Sequence, residues 1–301
     1  MDCKVKKQLI ANGLIMLLSL GILTGCGAVS PNETKNIVTN TEEDKVITFG
    51  ATDWTSTEAP TAIAKLILEE AGYTVKTKFL AQPIIFEGLK TEQVDFFMDA
   101  WLPYTEAALW EKYKADLIKV SASYKNAPLG WVVPSYVEEN SIEELKGKAS
   151  KFDNRVVTIS PGAGIVEISK EAIKAYNLDD YTLLTSSEAA MLAEAKSKMS
   201  EKKPIVFTSW RPHSMFAMFD LKFLEDPKKL FKYDNVYVIS YKNIEKAHPK
   251  AYKILSKWSI EISDLEKMIL EKEKNEVPFA ESAKEWITEH REQVDQMLEK
   301  E

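Results

Sequence analysis

Cysteine is nearly absent from this chain. Its 301 residues hold two, Cys3 and Cys26. Cys3 falls in a stretch that reads as a removable leader, so downstream there is no disulfide, thiolate metal site or Cys–His nucleophile pair. Histidine is almost as scarce. The three, His213, His248 and His290, lie too far apart for metal-ligand spacing, and no Ser-His-Asp set or phosphate loop is recognisable. Catalysis has little to build on, so the chain is expected not to be an enzyme and to need no cofactor or metal. Basic charge is also in deficit. With 39 Lys and Arg against 46 Asp and Glu, the formal net charge is −7, the opposite of a nucleic-acid binder's footprint. After residue 26 no apolar run is long enough to cross a bilayer.

Against that background the amino terminus stands out. Lys4, Lys6 and Lys7 precede an apolar stretch, Leu9 to Leu23, that ends in Leu23-Thr24-Gly25-Cys26. A basic segment, an apolar segment and a small-residue cleavage site make a secretory signal, and the apolar stretch is short for a membrane span. The LTGC ending resembles a bacterial lipoprotein box, which implies a signal peptide over 1–25, cleavage before Cys26 and lipid attachment there. Residues 26–44 then form a polar tether between lipid and domain. The leader carries three Lys against one Asp, so the mature chain has a formal charge of −9. Its expected location is the extracytoplasmic face of the cell membrane, lipid-anchored.

From residue 45 strands and helices alternate. VITFGATD reads as a strand, Ala59 to Ala71 as an amphipathic helix with Pro60 in its first turn, YTVKTKFL as a strand, IIFEGLKTEQ as a helix and VDFFMDA as a strand. A helical stretch, Tyr104 to Tyr113, and the strand LGWVVPSY follow. A second series runs through RVVTIS, a helix over Ile165 to Tyr176, YTLLTSS, a helix over Glu188 to Met199, and PIVFTS. This alternation is the signature of parallel sheets covered by helices, in two similar units near 45–134 and 137–238. From Asn243 the pattern is helical and charged, without a persistent heptad.

Three tryptophans occupy equivalent places in this pattern. Trp54 follows VITFGATD, Trp101 follows VDFFMDA and Trp210 follows PIVFTS, each at a strand's carboxyl end, where open α/β sheets bind ligands. Tryptophan is the best cation–π partner, and an aromatic box suits a quaternary ammonium group. Core packing is the competing account of each indole taken singly. The turn SPGAGI, Ser160 to Ile165, offers the free amides of a helix start to an anion such as a carboxylate, and lacks the third glycine of a dinucleotide fingerprint. An indole cage beside an anion nest fits a zwitterion with a methylated ammonium at one end and a carboxylate at the other.

The stretches ATDW, LEEAGYTV, VDFFMDAWLPYT, LGWVVPSY, ISPGAGI, SSEAAML, IVFTSWRPHSMF and LKFLEDPKK resemble, in order, the substrate-binding proteins of glycine betaine ABC importers. The resemblance implies a two-lobe α/β fold of the type II periplasmic-binding-protein kind, with ligand in the interlobe cleft. Lobe 1 is expected over 45–134 plus 240–301 and lobe 2 over 135–239. The implied partners are an ABC permease and its ATPase. The implied ligand is glycine betaine, an osmoprotective solute, with choline, carnitine and proline betaine as alternatives. Trp54, Trp101 and Trp210 match the residues that box the trimethylammonium group, and Gly164 and Ile165 match those whose amides take the carboxylate. One position departs: where betaine binders carry a histidine five residues after the WLP tryptophan, this chain has Glu106. That leaves open whether Glu106 points away, whether a proton, water or cation intervenes, or whether the ligand is choline. Choline-selective relatives, however, tend to carry an acidic residue where Ser56 stands. Trp131 is a candidate fourth wall, with hinge-strand packing as the alternative. His213 either touches ligand or orients its loop. Trp110, Trp258 and Trp286 fall on helical faces and are expected in the core.

Overall fold

The computed structural model describes residues 45–300. The expected leader, Cys26 and tether lie outside them.

In chain order, β1 (Val46–Ala51), α1 (Thr55–Glu70), β2 (Thr74–Phe79), α2 (Gln82–Lys90), β3 (Phe96–Leu102), α3 (Ala107–Tyr113) and β4 (Leu117–Ala127) come first. Then follow β5 (Leu129–Pro134), β6 (Arg155–Thr158), α4 (Gly164–Ala175), β7 (Thr182–Thr185), α5 (Glu188–Ser200), β8 (Phe207–Trp210), α6 (Met215–Met218) and β9 (Leu221–Phe223). The chain returns through β10 (Asp234–Tyr241) and ends in α7 (Ile244–Ala247), α8 (Pro249–Ser256), α9 (Ile262–Asn275), α10 (Phe279–Glu289) and α11 (Arg291–Leu298).

Two five-stranded sheets result, ordered β2-β1-β3-β10-β4 and β7-β6-β8-β5-β9. Strands β3 (FFMDAWL) and β5 (LGWVVP) are buried along their whole length, as continuous apolar runs covered on both faces should be. Helices α9 and α10 pack on α1, and α8 on β4, so the charged carboxyl-terminal helices cover the first sheet through their apolar stripes.

The sheets are not purely parallel, as the alternation implied. Strands β1, β2 and β3 run parallel, but β10 is antiparallel to both β3 and β4. Likewise β6 runs parallel to β7 and β8, while β5 is antiparallel to β8 and β9. The cause is an exchange between the halves: the chain crosses through Pro128 into β5 and comes back into β10. The residues 129–134, expected in the first lobe, therefore build the second sheet, and Asp234 to Tyr241, mostly expected in the second lobe, is inserted into the first. Alternating strands such as β4 (LIKVSASYKNA) and β10 (DNVYVISY) carry a weaker apolar signal than the buried parallel strands, and neither is apparent in the helix–strand alternation. Helix α1 also starts earlier than its expected first residue, Ala59. The Trp54 carbonyl accepts from the amides of Thr57 and Glu58, both at 3.0 Å, so Pro60 lies inside the helix rather than in its first turn. That early start brings the α1 amino terminus to the end of β1, beside the tryptophan.

Candidate functional site

Trp54 precedes α1, Trp101 is the penultimate residue of β3 and Trp210 the last of β8. All three line one cavity, together with Ser56, Gln82, Thr105, Glu106, Gly164 and Ile165. Two indoles come from the first-sheet half and one from the second, so the cavity exists only where the halves meet. Trp101 and Trp210 each sit two residues before a cis-proline, Pro103 and Pro212.

The indole nitrogens separate two of these tryptophans from those of the core. Nε1 of Trp131 donates to Ser169 Oγ (2.9 Å), that of Trp258 to Ser123 Oγ (2.7 Å) and that of Trp286 to Asp264 Oδ2 (3.0 Å), as buried indoles ordinarily do. Nε1 of Trp54 and Trp210 are buried with no partner. Trp101 donates to Asp99 Oδ1 (2.9 Å). The same Asp99 carboxylate accepts from Ser56 Oγ (3.0 Å), Thr57 Oγ1 (2.7 Å) and Tyr124 Oη (3.0 Å). Burial raises the Asp99 carboxyl above the usual carboxylate range, with these four donors acting against it. Standing behind Trp101 and bonded to it, Asp99 also ties β3 to the start of α1 through Ser56 and Thr57, and is thus a strut for the cage.

Opposite the cage, Gly164 and Ile165 open α4, where amides have no acceptor within the helix. Those of Val166 and Glu167 turn back on the Ala163 carbonyl at 3.0 and 3.4 Å. Gly162 supplies the turn with φ +90°, a conformation glycine adopts freely. Gly164 is required for another reason. A Cβ there would sit 2.3 Å from the Thr105 carbonyl oxygen and 2.6 Å from its Cγ2, because this point of the second half presses against the first.

Of the four candidate ligand-proximal residues, Ser56 and Glu106 line the cavity, and Trp131 and His213 do not. Trp131 is fully buried in the second-sheet core, 6.1 Å from the Phe231 ring. His213 stands edge-on to Trp210 with ring centroids 5.1 Å apart. Its Nδ1 accepts from the Met215 amide (3.1 Å), which leaves Nε2 as the protonated nitrogen, 3.1 Å from Glu188 Oε1 but out of line for a good hydrogen bond. Glu106 is turned inward: it is 2 % exposed, Oε1 accepts from Gln82 Nε2 and Oε2 has no partner.

Two further contacts join the halves. Glu188, at the start of α5, accepts from the Thr55 amide (3.1 Å) and Thr55 Oγ1 (2.6 Å), so an acid from the second half caps α1 of the first. Arg211 makes a paired bond to Glu266 on α9, at 2.6 and 2.7 Å, the fork geometry that favours arginine. Sequence alone singled out neither pair, since partners 133 and 55 residues apart leave no local spacing to read.

The arrangement can hold a cation against indole faces and an anion on the helix amides that line the same cavity. Comparison with known proteins agrees. The family model for the substrate-binding domain of ABC-type glycine betaine transport systems matches residues 45–289. Among solved structures, the lactococcal OpuAC in a closed, liganded conformation with glycine betaine superposes with TM-score 0.80 at 35 % identity, covering 85 % of this chain and 100 % of that one. The glycine betaine/L-proline-binding protein ProX of Borrelia burgdorferi does so with TM-score 0.80 at 28 %, covering 83 % and 95 %. The glycine betaine/carnitine transport binding protein GbuC of Listeria monocytogenes is 39 % identical over 145 residues, 47 % of this chain and 48 % of that relative, so the match spans about half its length. The chain belongs to the OpuAC family, the substrate-binding domains of ABC-type glycine betaine transport systems, which are binding components of transporters and not enzymes.

Proposed function

We propose that this chain is the extracytoplasmic receptor of an ABC importer, tethered through a lipid on Cys26, and that it captures glycine betaine. The trimethylammonium group sits among Trp54, Trp101 and Trp210, and the carboxylate sits on the amides of Gly164 and Ile165. The observation that carries this reading is the single cavity on which three strand-end indoles and the amino terminus of α4 converge. Each favourable ring contributes about 0.5–2 kcal/mol, the upper end when the site is dry. The relative solved with glycine betaine, at 35 % identity, supports the choice of ligand.

In this reading residues 45–127 with 234–300 form one lobe and 129–233 the other, hinged where the chain crosses between sheets. The Thr55–Glu188 and Arg211–Glu266 contacts belong to the closed form, which a permease recognises because only closure brings both lobes into register. A ligand that bridges the lobes and a latch that bridges them stabilise the same state. Glu188→Gln, which removes an acceptor without touching ligand, is therefore expected to weaken glycine betaine binding about tenfold, the worth of one charge-assisted hydrogen bond. Unchanged affinity by calorimetry would show that Glu188 plays no part in closure.

One observation favours a second ligand. A carboxyl group stands in the cavity at Glu106, and the hydroxyl of choline can donate to an ionised one. Intrinsic tryptophan fluorescence titrated with glycine betaine, proline betaine, carnitine and choline ranks the candidates. Glycine betaine is expected to bind most tightly at neutral pH, and a response to none of them would overturn the importer reading. The anchor has its own test: the protein is expected to incorporate labelled palmitate in cells and Cys26→Ala to incorporate none, and equal labelling of the variant would refute lipidation at that residue.

A further inference from the structure

Glu106 lines the same cavity as Gly164 and Ile165, whose amides the reading above gives to the ligand's carboxylate, and its chain neighbour Thr105 packs against Gly164, so two negative charges there would repel. The titratable groups facing it from neighbouring elements are acidic or neutral: Asp99 on β3, Asp234 on β10 and Tyr124 on β4, beside the uncharged Gln82 on α2. Asp99 takes the four donors described above. Asp234 takes three, from the Tyr104 amide (2.8 Å), the Thr105 amide (2.9 Å) and Thr105 Oγ1 (2.5 Å). Glu106 receives one side-chain donor, Gln82, with some help from the Trp101 backbone, and its Oε2 is buried without a hydrogen-bond partner. Of the three carboxyls it is the one least equipped to carry charge in a closed cleft. Burial first, and then the charge of Asp99, push it well above the usual carboxylate range.

We propose that Glu106 takes part in the closed complex as the neutral acid, its Oε2–H donating to the ligand's carboxylate while Oε1 keeps the bond from Gln82, so that capture of a zwitterion takes up one proton. No bond of the ligand changes. The proton comes from solvent as the cleft closes over Glu106, and returns to solvent on release. A buried carboxylic acid kept neutral in order to donate is a known device of polar pockets. The inference rests on the glycine betaine reading and adds a consequence for specificity. Because the carboxyl titrates at higher pH in the complex than in the open cleft, its contribution to affinity is complete below the open-cleft value and is lost as pH rises through the bound-state value. Between those limits the affinity for glycine betaine falls about tenfold per pH unit. Choline has no carboxylate and offers a hydroxyl to the ionised form, so its affinity runs the other way.

The test is calorimetric titration of the purified protein with glycine betaine from about pH 6 to about pH 9, in pairs of buffers whose ionisation enthalpies differ. Expected are uptake of close to one proton over the interval in which affinity falls, a matching loss of affinity, and a betaine-to-choline affinity ratio that falls with pH. Glu106→Gln, fixed as a neutral donor, is expected to bind glycine betaine with pH-independent affinity. Binding of glycine betaine by the unaltered protein at constant affinity and without proton uptake overturns the role of Glu106 and leaves the betaine reading standing. A wild-type pH slope retained in Glu106→Gln does the same. No glycine betaine binding at any pH overturns both. The proton count on the unaltered protein decides the matter even where the variant does not fold.

Discussion

Alanine at position 164 is expected to abolish glycine betaine binding, raising Kd by more than about 100-fold, close to 3 kcal/mol, while the ligand-free protein melts at the same temperature or slightly higher. The two effects have opposite signs because they act on different states. Within α4, replacing glycine with alanine removes backbone freedom from the unfolded chain and stabilises by up to about 1 kcal/mol. In the closed form the added methyl would lie 2.3 Å from the Thr105 carbonyl oxygen. That oxygen belongs to a backbone held by Asp234 through two amides and a hydroxyl, so it cannot swing aside as a flexible side chain would. The lobes must stop short, and the cage is then left open on one side. Calorimetry for binding and thermal unfolding for stability separate the outcomes. Wild-type affinity in this variant would mean that the ligand does not need the lobes to meet at Thr105.

Trp210→Ala should be comparably severe for binding. Trp210 is the second lobe's share of the cage, and its removal takes away both a π face and the wall that keeps water from the cation. The expected loss is at least about 100-fold, and Trp210→Phe, which keeps a weaker ring, should lose about tenfold. Trp131→Phe is the matched control, since Trp131 is just as buried but lies in the second-sheet core, where it gives up its bond to Ser169 and part of its packing volume. It should cost about 2–3 kcal/mol of stability and leave affinity unchanged. Loss of binding in Trp131→Phe equal to that in Trp210→Ala would mean that disturbance of the second lobe, rather than contact with the cation, accounts for both.

The features legible from sequence were those that local periodicity announces. An apolar run ending in tryptophan marks a strand end: parallel β1 and β3 deliver Trp54 and Trp101 to one edge of the first sheet, and β8 brings Trp210 to the same cavity from the second. The SPGAGI turn is similarly local, and α4 starts at Gly164, within one residue of the expected start. What escaped depends on pairing across long separations. The exchange of β5 and β10 between sheets is set by which edge each strand completes, a property of the assembled sheets. The role of Asp99, beside Trp101 in sequence, has no local signal because its donors Ser56, Thr57 and Tyr124 sit on other elements. Whether Glu106 points inward was undecidable until Gln82, on a different helix, was found against it. His213 and Trp131 had the right composition for a site, but the packing turns one toward Glu188 and the other into the core.

The measurement closest to the central claim compares glycine betaine with tert-butylacetate, in which carbon replaces the quaternary nitrogen and shape and carboxylate are kept. If the three indoles hold a permanent positive charge, the analogue that lacks it should bind at least about 100-fold more weakly, as loss of several desolvated cation–π contacts requires. Equal affinity for the two would show that the cavity selects for bulk alone, and that the charge on nitrogen plays no part in capture.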